Sequence, residues 1–175
     1  MLINNAGFGD YGDFAEQDVE RQLKLIQLNI MVLVDLTHKI LPLMCQCRSG
    51  NIINLPSIAG FQPMPYIFVY AAIKAFILSF SEALWAENQD YAVKVLVVCP
   101  GPTETDFFTE AKFPEILAGA NNKIATPEEV VHDALQGLEE CVSTVVSSGL
   151  ENKVIVNIDR FPPRESLVKC DRKTV

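Results

Sequence analysis

Basic residues are scarce in this sequence, which has 14 Lys and Arg against 22 Asp and Glu among 175 residues. The net charge is −8, and no Lys- or Arg-rich run provides the basic patch that phosphate backbones require. We therefore expect neither nucleic acid nor an anionic membrane surface to be a partner. The length and the apolar content of 49% suit one soluble globular domain with a substantial core.

Long apolar runs are also missing, since no uninterrupted stretch approaches the ~18 residues that a membrane span requires. The five cysteines, Cys45, Cys47, Cys99, Cys141 and Cys170, are odd in number and irregularly spaced. Because no signal peptide is recognisable, we interpret them as reduced thiols and predict a cytoplasmic location. Cys45 and Cys47 form a CxC pair, but no second ligand pair follows, so no metal site is predicted.

The apolar pattern predicts strands that alternate with helices, which is typical of a parallel α/β sheet. Strands are predicted at 1–5, 51–55, 93–99 and 143–147, and helices at 16–47, 70–89 and 127–141. Pro42 should end or kink the first helix, whereas Thr126-Pro127-Glu128-Glu129 is a typical helix start. Segment 103–125 is predicted to be irregular, 153–158 to be strand or helix, and Pro162-Pro163 to begin a short terminal helix.

Tyr70 and Lys74 lie four residues apart in the second predicted helix, so their side chains share one face. Ser57 precedes the tyrosine by 13 residues and follows the strand before that helix, where it can meet both side chains. The three supply a hydroxyl that can move a proton, a cation that can lower its pKa, and a hydroxyl that can hold a carbonyl oxygen. They predict carbonyl reduction or alcohol oxidation. Taken alone, Tyr70 and Lys74 could equally be a surface pair.

Three motifs fall just beyond predicted strands: Asn5-Ala6-Gly7 after the first, Ser57 after the second and Pro100-Gly101 after the third. Ligands of parallel sheets bind beyond the carboxyl ends of the strands, so we predict that these motifs line one site. The alternative for each glycine-containing motif is a turn that only ends its strand.

Together these motifs resemble the short-chain dehydrogenase/reductase family. The matching pieces are Asn4-Asn5-Ala6-Gly7, Asn29 in the first long helix, Ser57, Tyr70-x-x-x-Lys74 and Pro100-Gly101-x-Thr103-x-Thr105. YxxxK alone is weakly specific, but five motifs in register make a specific match. The resemblance covers residues 1–148 and implies a partial NAD(P)-binding domain, the C-terminal part of a Rossmann-like doubly wound parallel sheet. Residues 149–175 are expected to form a weakly defined C-terminal tail.

The resemblance implies an oxidoreductase that uses NAD or NADP on a small-molecule carbonyl or alcohol. It makes Tyr70 the general acid/base, with a pKa lowered by Lys74 and the nicotinamide charge. Lys74 would also hold the cofactor ribose, Ser57 would orient the substrate carbonyl, and Asn29 would hold a water that links Lys74 to solvent. Asn5, Ala6 and Gly7 would pass close to the adenosine ribose, while Pro100, Gly101, Thr103 and Thr105 would cover the nicotinamide and diphosphate.

One departure from the family pattern is large. The TGxxxGxG phosphate loop is not found, and the sequence starts at what resembles the family's fourth strand. We therefore expect the main pyrophosphate site to be missing and the first strand to present an unpaired apolar edge. The alternative hypothesis is a truncated, non-catalytic fragment, or a binding-only homologue unable to hold the cofactor. Pro56 stands where the family often has serine, and little effect is expected from it.

Two further expectations concern surfaces. Apolar residues lie where the family has its substrate lid, and others lie in the loop before the second long helix: Phe107, Phe108, Phe113, Ile116 and Leu117, with Phe61, Met64, Tyr66 and Phe68. They could form the wall of a lipophilic substrate pocket, or they could simply pack the loops onto the sheet. The resemblance also implies a homo-oligomer that pairs through the two long helices. His38 and His132 are assigned no role.

Overall fold

A computed structural model of the chain describes residues 1–114 and 124–158, which form a parallel sheet flanked by helices. The strands are β1 (Leu2–Asn4), β2 (Gly50–Asn54), β3 (Val93–Cys99) and β4 (Thr144–Val146). The helices are α1 (Val19–Cys47), α2 (Phe68–Glu87), α3 (Phe107–Glu110), α4 (Pro127–Glu139) and α5 (Leu150–Ile158). The predicted α/β class with a parallel sheet is confirmed.

The strands lie in the order β1-β2-β3-β4, and every neighbouring pair is parallel. Strand β3 is the buried centre, because its residues from Val95 to Cys99 are at most 1% exposed. This is the continuous apolar run expected of a parallel strand that is covered on both faces. Within the described ranges β1 is hydrogen-bonded to β2 alone, and Ile3 remains 54% exposed.

Helix α1 begins three residues later than predicted, after Asp18, whose side chain accepts a hydrogen bond from the Glu20 amide and caps the helix. Of the two outcomes predicted for Pro42, an end or a kink, the end does not occur, since α1 continues to Cys47, where the helix was predicted to stop. Proline removes only one donor from the helix, and Met44 beyond it packs into the core against Ile52. A π-helical turn, Gln27–Val32, interrupts the helix and was not predicted.

The other helices agree closely with the predictions from the sequence. Helix α2 starts at Phe68 and ends at Glu87, two residues from each predicted end. Thr126 and Glu129 form a reciprocal capping box at the start of α4, as the motif predicts. Segment 153–158, which was left open between strand and helix, lies in α5. The predicted helix at Pro162-Pro163, like Cys170, Ile116 and Leu117, lies outside the described residues.

Helices α1 and α2 are long and apolar enough to cross a membrane by length and composition alone. The same test is passed by core helices of soluble proteins, so it decides little about membranes. Little of the most apolar stretch of each helix is covered, since only 22% of that stretch in α1 and 33% in α2 are buried. Both helices therefore carry apolar surface that faces away from their own sheet.

Candidate active site

The predicted site residues lie around one cleft of about 750 Å³ at the carboxyl ends of β1, β2 and β3. Its lining includes Asn5, Gly7, Ser57, Tyr70, Lys74, Pro100, Gly101, Thr103 and Thr105. Two predicted site residues, Ala6 and Asn29, do not line it. The topology brings the three motifs together because parallel strands end at the same edge, and α2 starts directly above that edge.

Tyr70 lies in the first turn of α2 with its ring 5.0 Å from the ring of Phe107. Its hydroxyl is desolvated, and this burial raises the pKa of Tyr70 to about 12, although a hydrogen bond with Ser57 acts to lower it. The lowered pKa that the family resemblance implies for Tyr70 depends on Lys74 and on the positive charge of a bound nicotinamide. In the chain itself burial outweighs the hydrogen bond, so the phenol is neutral at physiological pH.

Lys74 is one turn further along α2 and is only 7% exposed. Its Nζ donates to the carbonyl of Leu55 at 2.9 Å and lies 5.3 Å from the centre of the Tyr70 ring. Burial lowers the pKa of Lys74 to about 8, while the neighbouring Cys99 thiol acts to raise it. The ammonium group is therefore held at the end of β2, beside the phenol ring, close to the pH at which it loses its proton.

Ser57 joins the ends of two strands. Its Oγ accepts from the Ala59 amide at 3.2 Å and donates to the carbonyl of Pro100 at 3.4 Å. The same Pro100 carbonyl accepts from the Ile58 amide at 3.0 Å, so the serine loop rests on the end of β3. Pro56 is buried beside the serine. Ser57 thus lines the cleft, and its hydroxyl donates only this one long hydrogen bond.

Asn29 lies behind the cleft, in the π-helical turn of α1, and is 2% exposed. Its Nδ2 donates to the Leu25 carbonyl at 3.0 Å, whereas its Oδ1 finds no hydrogen-bond partner among the described residues. This Oδ1 lies so close to Gly7 that a Cβ there would collide with it. Gly7 is therefore required by contact with Asn29, and the π turn, of a kind frequent at functional sites, leaves a buried acceptor beside the cleft.

The Pro100 loop is held from two sides. Thr103 Oγ1 donates to the Gly101 carbonyl at 3.0 Å, and Thr103 forms a parallel bridge with Ala125. On the other side the buried side chain of Asn152, from α5, packs against Gly101. Thr105 is exposed, and its Oγ1 accepts from the Phe107 amide at 3.4 Å.

Sequence reasoning missed three groups next to the site. Cys99 ends β3 beside Lys74, where burial raises the pKa of its thiol to about 12. Asp10 and Arg21 form an ion pair of 2.9 Å behind the aromatic wall of the cleft. The position of Cys99 at the end of a buried strand could have indicated its place, but nothing in the sequence links Arg21 to a wall 89 residues away.

Three comparisons with known proteins agree with this arrangement. A sequence profile described as short chain dehydrogenase matches residues 1–115. The ketoacyl reductase HetN of Nostoc sp. is 30% identical over 172 residues, which cover 97% of this chain and 54% of the relative. The 3-ketodihydrosphingosine reductase of Bacteroides thetaiotaomicron is 36% identical over 128 residues, which cover 71% of this chain and 46% of the relative. The chain thus spans about half the length of these curated relatives.

Solved structures give the same family. A short-chain dehydrogenase from Sphingobium yanoikuyae, in complex with NADPH, superposes with a TM-score of 0.76 at 31% identity, covering 83% of this chain and 56% of that one. A 3-oxoacyl-[acyl-carrier protein] reductase from Brucella melitensis with bound NAD superposes at 0.67 and 26% identity, covering 82% and 58%. Since the profile alone covers well over half of the 175 residues, the chain belongs to the short-chain dehydrogenase/reductase family.

Proposed function

We propose that this chain carries the proton-transfer part of the active site of an NAD(P)-dependent oxidoreductase that reduces a carbonyl group to an alcohol. The observation that carries the proposal is the meeting of Ser57, Tyr70 and Lys74 at the wall of one cleft, with Lys74 Nζ 5.3 Å from the centre of the phenol ring. A substrate oxygen placed between the two hydroxyls would receive one hydrogen bond from each.

The protonation state of Tyr70 favours reduction. With a pKa of about 12 the phenol holds its proton at neutral pH, and a general acid must be protonated to deliver one. Ser57 would exchange its 3.4 Å bond to the Pro100 carbonyl for a bond to the substrate oxygen. The proton then moves from the Tyr70 hydroxyl to that oxygen as the alcohol forms.

Lys74 would stabilise the phenolate that remains after this transfer. Its ammonium group is still charged below about pH 8, and it lies on the face of the Tyr70 ring. We also propose that the unpaired Oδ1 of Asn29 accepts a hydrogen bond from a water that returns the proton to the site. A buried acceptor without a partner is where an ordered water is expected.

The residues present fit the nicotinamide and ribose parts of a dinucleotide along the mouth of the cleft, whereas the phosphate loop that would hold its pyrophosphate is not found in the sequence. Asn5 and Gly7 line one side, Gly101, Thr103 and Thr105 line the other, and Lys74 lies between them. A nicotinamide cofactor bound there would supply the hydride. Relatives bound to NADPH or NAD support both cofactors equally, so the choice between NAD and NADP stays open in this proposal.

The substrate we propose is an apolar carbonyl compound. Phe107, Phe108, Phe113, Met64 and Ile67 form one wall of the cleft beside Tyr70. The names of the two curated relatives, a ketoacyl reductase and a 3-ketodihydrosphingosine reductase, point to 3-oxo groups on apolar chains. An apolar wall stabilises such a chain by removing it from water.

The substitution Tyr70→Phe tests this function directly. It removes the proton donor and keeps the ring, so turnover should fall by about 10²–10⁴-fold. NADH and NADPH would each be offered with a 3-oxoacyl ester, and nicotinamide absorbance would be followed. Tyr91→Phe is the matched control, because Tyr91 is 46% exposed and does not line the cleft. Turnover by Tyr70→Phe close to that of the control would contradict the assignment.

A cofactor titration separates this proposal from its alternative. NADH and NADPH would be added to the unsubstituted chain while nicotinamide fluorescence is measured. Saturable binding of either would support an enzyme. No binding of either would favour the alternative, a non-catalytic or binding-only homologue that cannot hold the cofactor. We retain the cytoplasmic prediction with this function, in agreement with the reduced thiols of Cys45, Cys47, Cys99 and Cys141.

We further propose that two copies pair through α1 and α2. Leu23, Met31 and Leu43 on α1 each expose more than half of their surface, and Phe76 on α2 is 39% exposed. Exposed apolar side chains on neighbouring helices are commonly part of an interface. Sedimentation should give a dimer, and Met31→Glu should give a monomer. Leu150→Glu, at an exposed apolar residue of α5, should leave the dimer intact, and a dimer that survives Met31→Glu would contradict the proposed interface.

A further inference from the structure

The aromatic wall of the cleft rests on a helix that is too short to hold itself in place. Helix α3 has four residues, and a single turn of helix is unstable unless other parts of the chain support it. Its last carbonyls also have no partners within the helix. The groups that donate hydrogen bonds to the carbonyls of Glu110 and Ala111 therefore determine where Phe107 and Phe108 lie.

The partners of these carbonyls come from the beginning of the chain. Arg21 Nη2 donates to the Glu110 carbonyl at 2.7 Å, and the Tyr11 amide donates to the Ala111 carbonyl at 2.9 Å. Arg21 also donates to the Gly9 carbonyl at 3.2 Å. One guanidinium group thus joins the loop after β1 to the C-terminal end of α3.

Asp10 fixes the orientation of this guanidinium group. Its carboxylate is buried, and Oδ1 accepts from Arg21 Nε at 2.9 Å while Oδ2 accepts from Gln22 at 2.8 Å. Lys112 lies 4.0 Å from the same carboxylate. The planar guanidinium can serve Asp10 and two carbonyls at once, which a lysine ammonium on a flexible stem cannot reproduce in the same geometry.

The connection reaches the candidate catalytic tyrosine through Phe107. Gly9 makes this possible, because a Cβ at that position would lie 2.7 Å from the Phe107 ring. The Phe107 ring also meets the Tyr70 ring at a centroid distance of 5.0 Å. A shift of α3 would therefore change both the width of the cleft and the packing of Tyr70.

We propose that Arg21, oriented by Asp10, is a positioning residue that sets Phe107 against Tyr70 and so determines the substrate size that the cleft accepts. The statement about substrates rests on the proposed function. The positioning of Phe107 by Arg21 can be measured without cofactor or turnover. A failure of the positioning proposal can therefore be distinguished from a failure of the proposed function.

The first test is Arg21→Lys, followed by amide hydrogen exchange and by the nuclear Overhauser contact between the Phe107 and Tyr70 rings. We expect the Tyr11 amide to exchange at least about tenfold faster and the ring contact to weaken. The Val97 amide, which bonds Ser143 within the sheet, should not change. Asp10→Asn should give a smaller effect in the same direction, because an amide oxygen can accept from Arg21 but carries no charge.

Arg48→Lys is the matched control. Arg48 also donates to a main-chain carbonyl, that of Asp90 at 2.8 Å, but at the other end of α1. It should change neither the Tyr11 amide nor the ring contact. An unchanged Tyr11 amide in Arg21→Lys, or a ring contact that persists at full strength, would overturn the proposal. Equal acceleration at Tyr11 and Val97 would also overturn it, since that pattern reports global destabilisation.

In the active protein, Arg21→Lys should change the ratio of kcat/KM between a bulky aromatic ketone and a small ketone at least about fivefold. The kcat for the small ketone should stay within about threefold, because Tyr70 keeps its hydroxyl and its bond with Ser57. An unchanged ratio, with the exchange effect present, would show that Arg21 positions the wall without affecting selectivity, and would overturn the part of the proposal that concerns substrate size.

Discussion

Two of the buried polar clusters in the described part of the molecule differ in how well their groups are paired. Where β1 and β2 end, Asn54 accepts from Asn4 at 2.7 Å and donates to Ser81 at 2.8 Å, and Ser81 donates to the Ile77 carbonyl at 2.6 Å. Beside the cleft, Tyr70 and Lys74 both have pKa values shifted by burial, and Asn29 keeps one amide oxygen without a partner in the described part of the chain.

The difference distinguishes polar groups that hold the fold from groups that can do chemistry. A fully paired buried cluster stabilises one arrangement of strands and helices. A cluster with shifted pKa values and an unpaired acceptor is destabilising in itself, and it is tolerated where ligand, water or proton transfer uses it. Each prediction below compares substitutions in the two clusters by their effect on the free energy of unfolding.

The largest expected effect is in the paired cluster. Asn54→Ala should lower the free energy of unfolding by about 2–4 kcal/mol, because it removes two hydrogen bonds from a side chain that is fully buried, and Asn4 then keeps only a 3.3 Å bond to Thr37. Urea denaturation would measure it. Asn51→Ala is the control, since Asn51 lies in the same strand but is only partly buried. Equal losses at the two positions would contradict the role given to the buried cluster.

The second prediction concerns Lys74, whose substitution should raise the free energy of unfolding. The pKa of Lys74 is lowered from 10.5 to about 8 in the folded state, so below pH 8 the buried charge costs about 3 kcal/mol of stability. Between pH 8 and 9 the unfolded state binds more protons at this position, and the free energy of unfolding should rise with pH. Lys74→Met should remove this slope. It should stabilise the chain by about 1–3 kcal/mol at pH 7, because the gain from removing the buried charge is reduced by loss of the hydrogen bond to the Leu55 carbonyl.

The pH range of that experiment is limited by Cys99 and Tyr70. The pKa of Cys99 is raised from 9.0 and that of Tyr70 from 10.0, each to about 12, so above pH 9 these groups bind more protons in the folded state and oppose the rise. Lys94→Met is the control, because Lys94 also donates to a main-chain carbonyl, at Leu138, but is exposed. A rise in stability between pH 8 and 9 that persists in Lys74→Met would contradict the burial argument.

The smallest effect is expected at Asn29. Asn29→Ala loses the bond to the Leu25 carbonyl but also removes a buried oxygen without a partner, so the net loss should stay below about 1 kcal/mol. Asn88 provides the comparison, since it makes the same bond to a carbonyl four residues earlier while its Oδ1 accepts from Cys45. Asn88→Ala should therefore cost more than Asn29→Ala, and equal costs would remove the distinction between the clusters.

Much of the fold could be predicted because its determinants are local. The capping box of Thr126 and Glu129 and the continuous apolar run of β3 are sequence patterns with a direct physical cause. Pro42 left both an end and a kink open because its effect depends on packing: the helix does not end there, since the contacts of Met44 with the core outweigh one missing donor. The π turn around Asn29 has no local sequence rule that would have predicted it.

By itself the sequence determined the alternation of strands and helices, and with it the meeting of Ser57, Tyr70 and Lys74 at one edge of the sheet. This follows because parallel strands end together and residues four apart share a helix face. Tertiary structure alone decided the raised pKa of Tyr70 and the contact of Arg21 with Glu110. Both depend on desolvation and hydrogen bonds between segments far apart in the chain, and neither propensity nor spacing encodes such contacts.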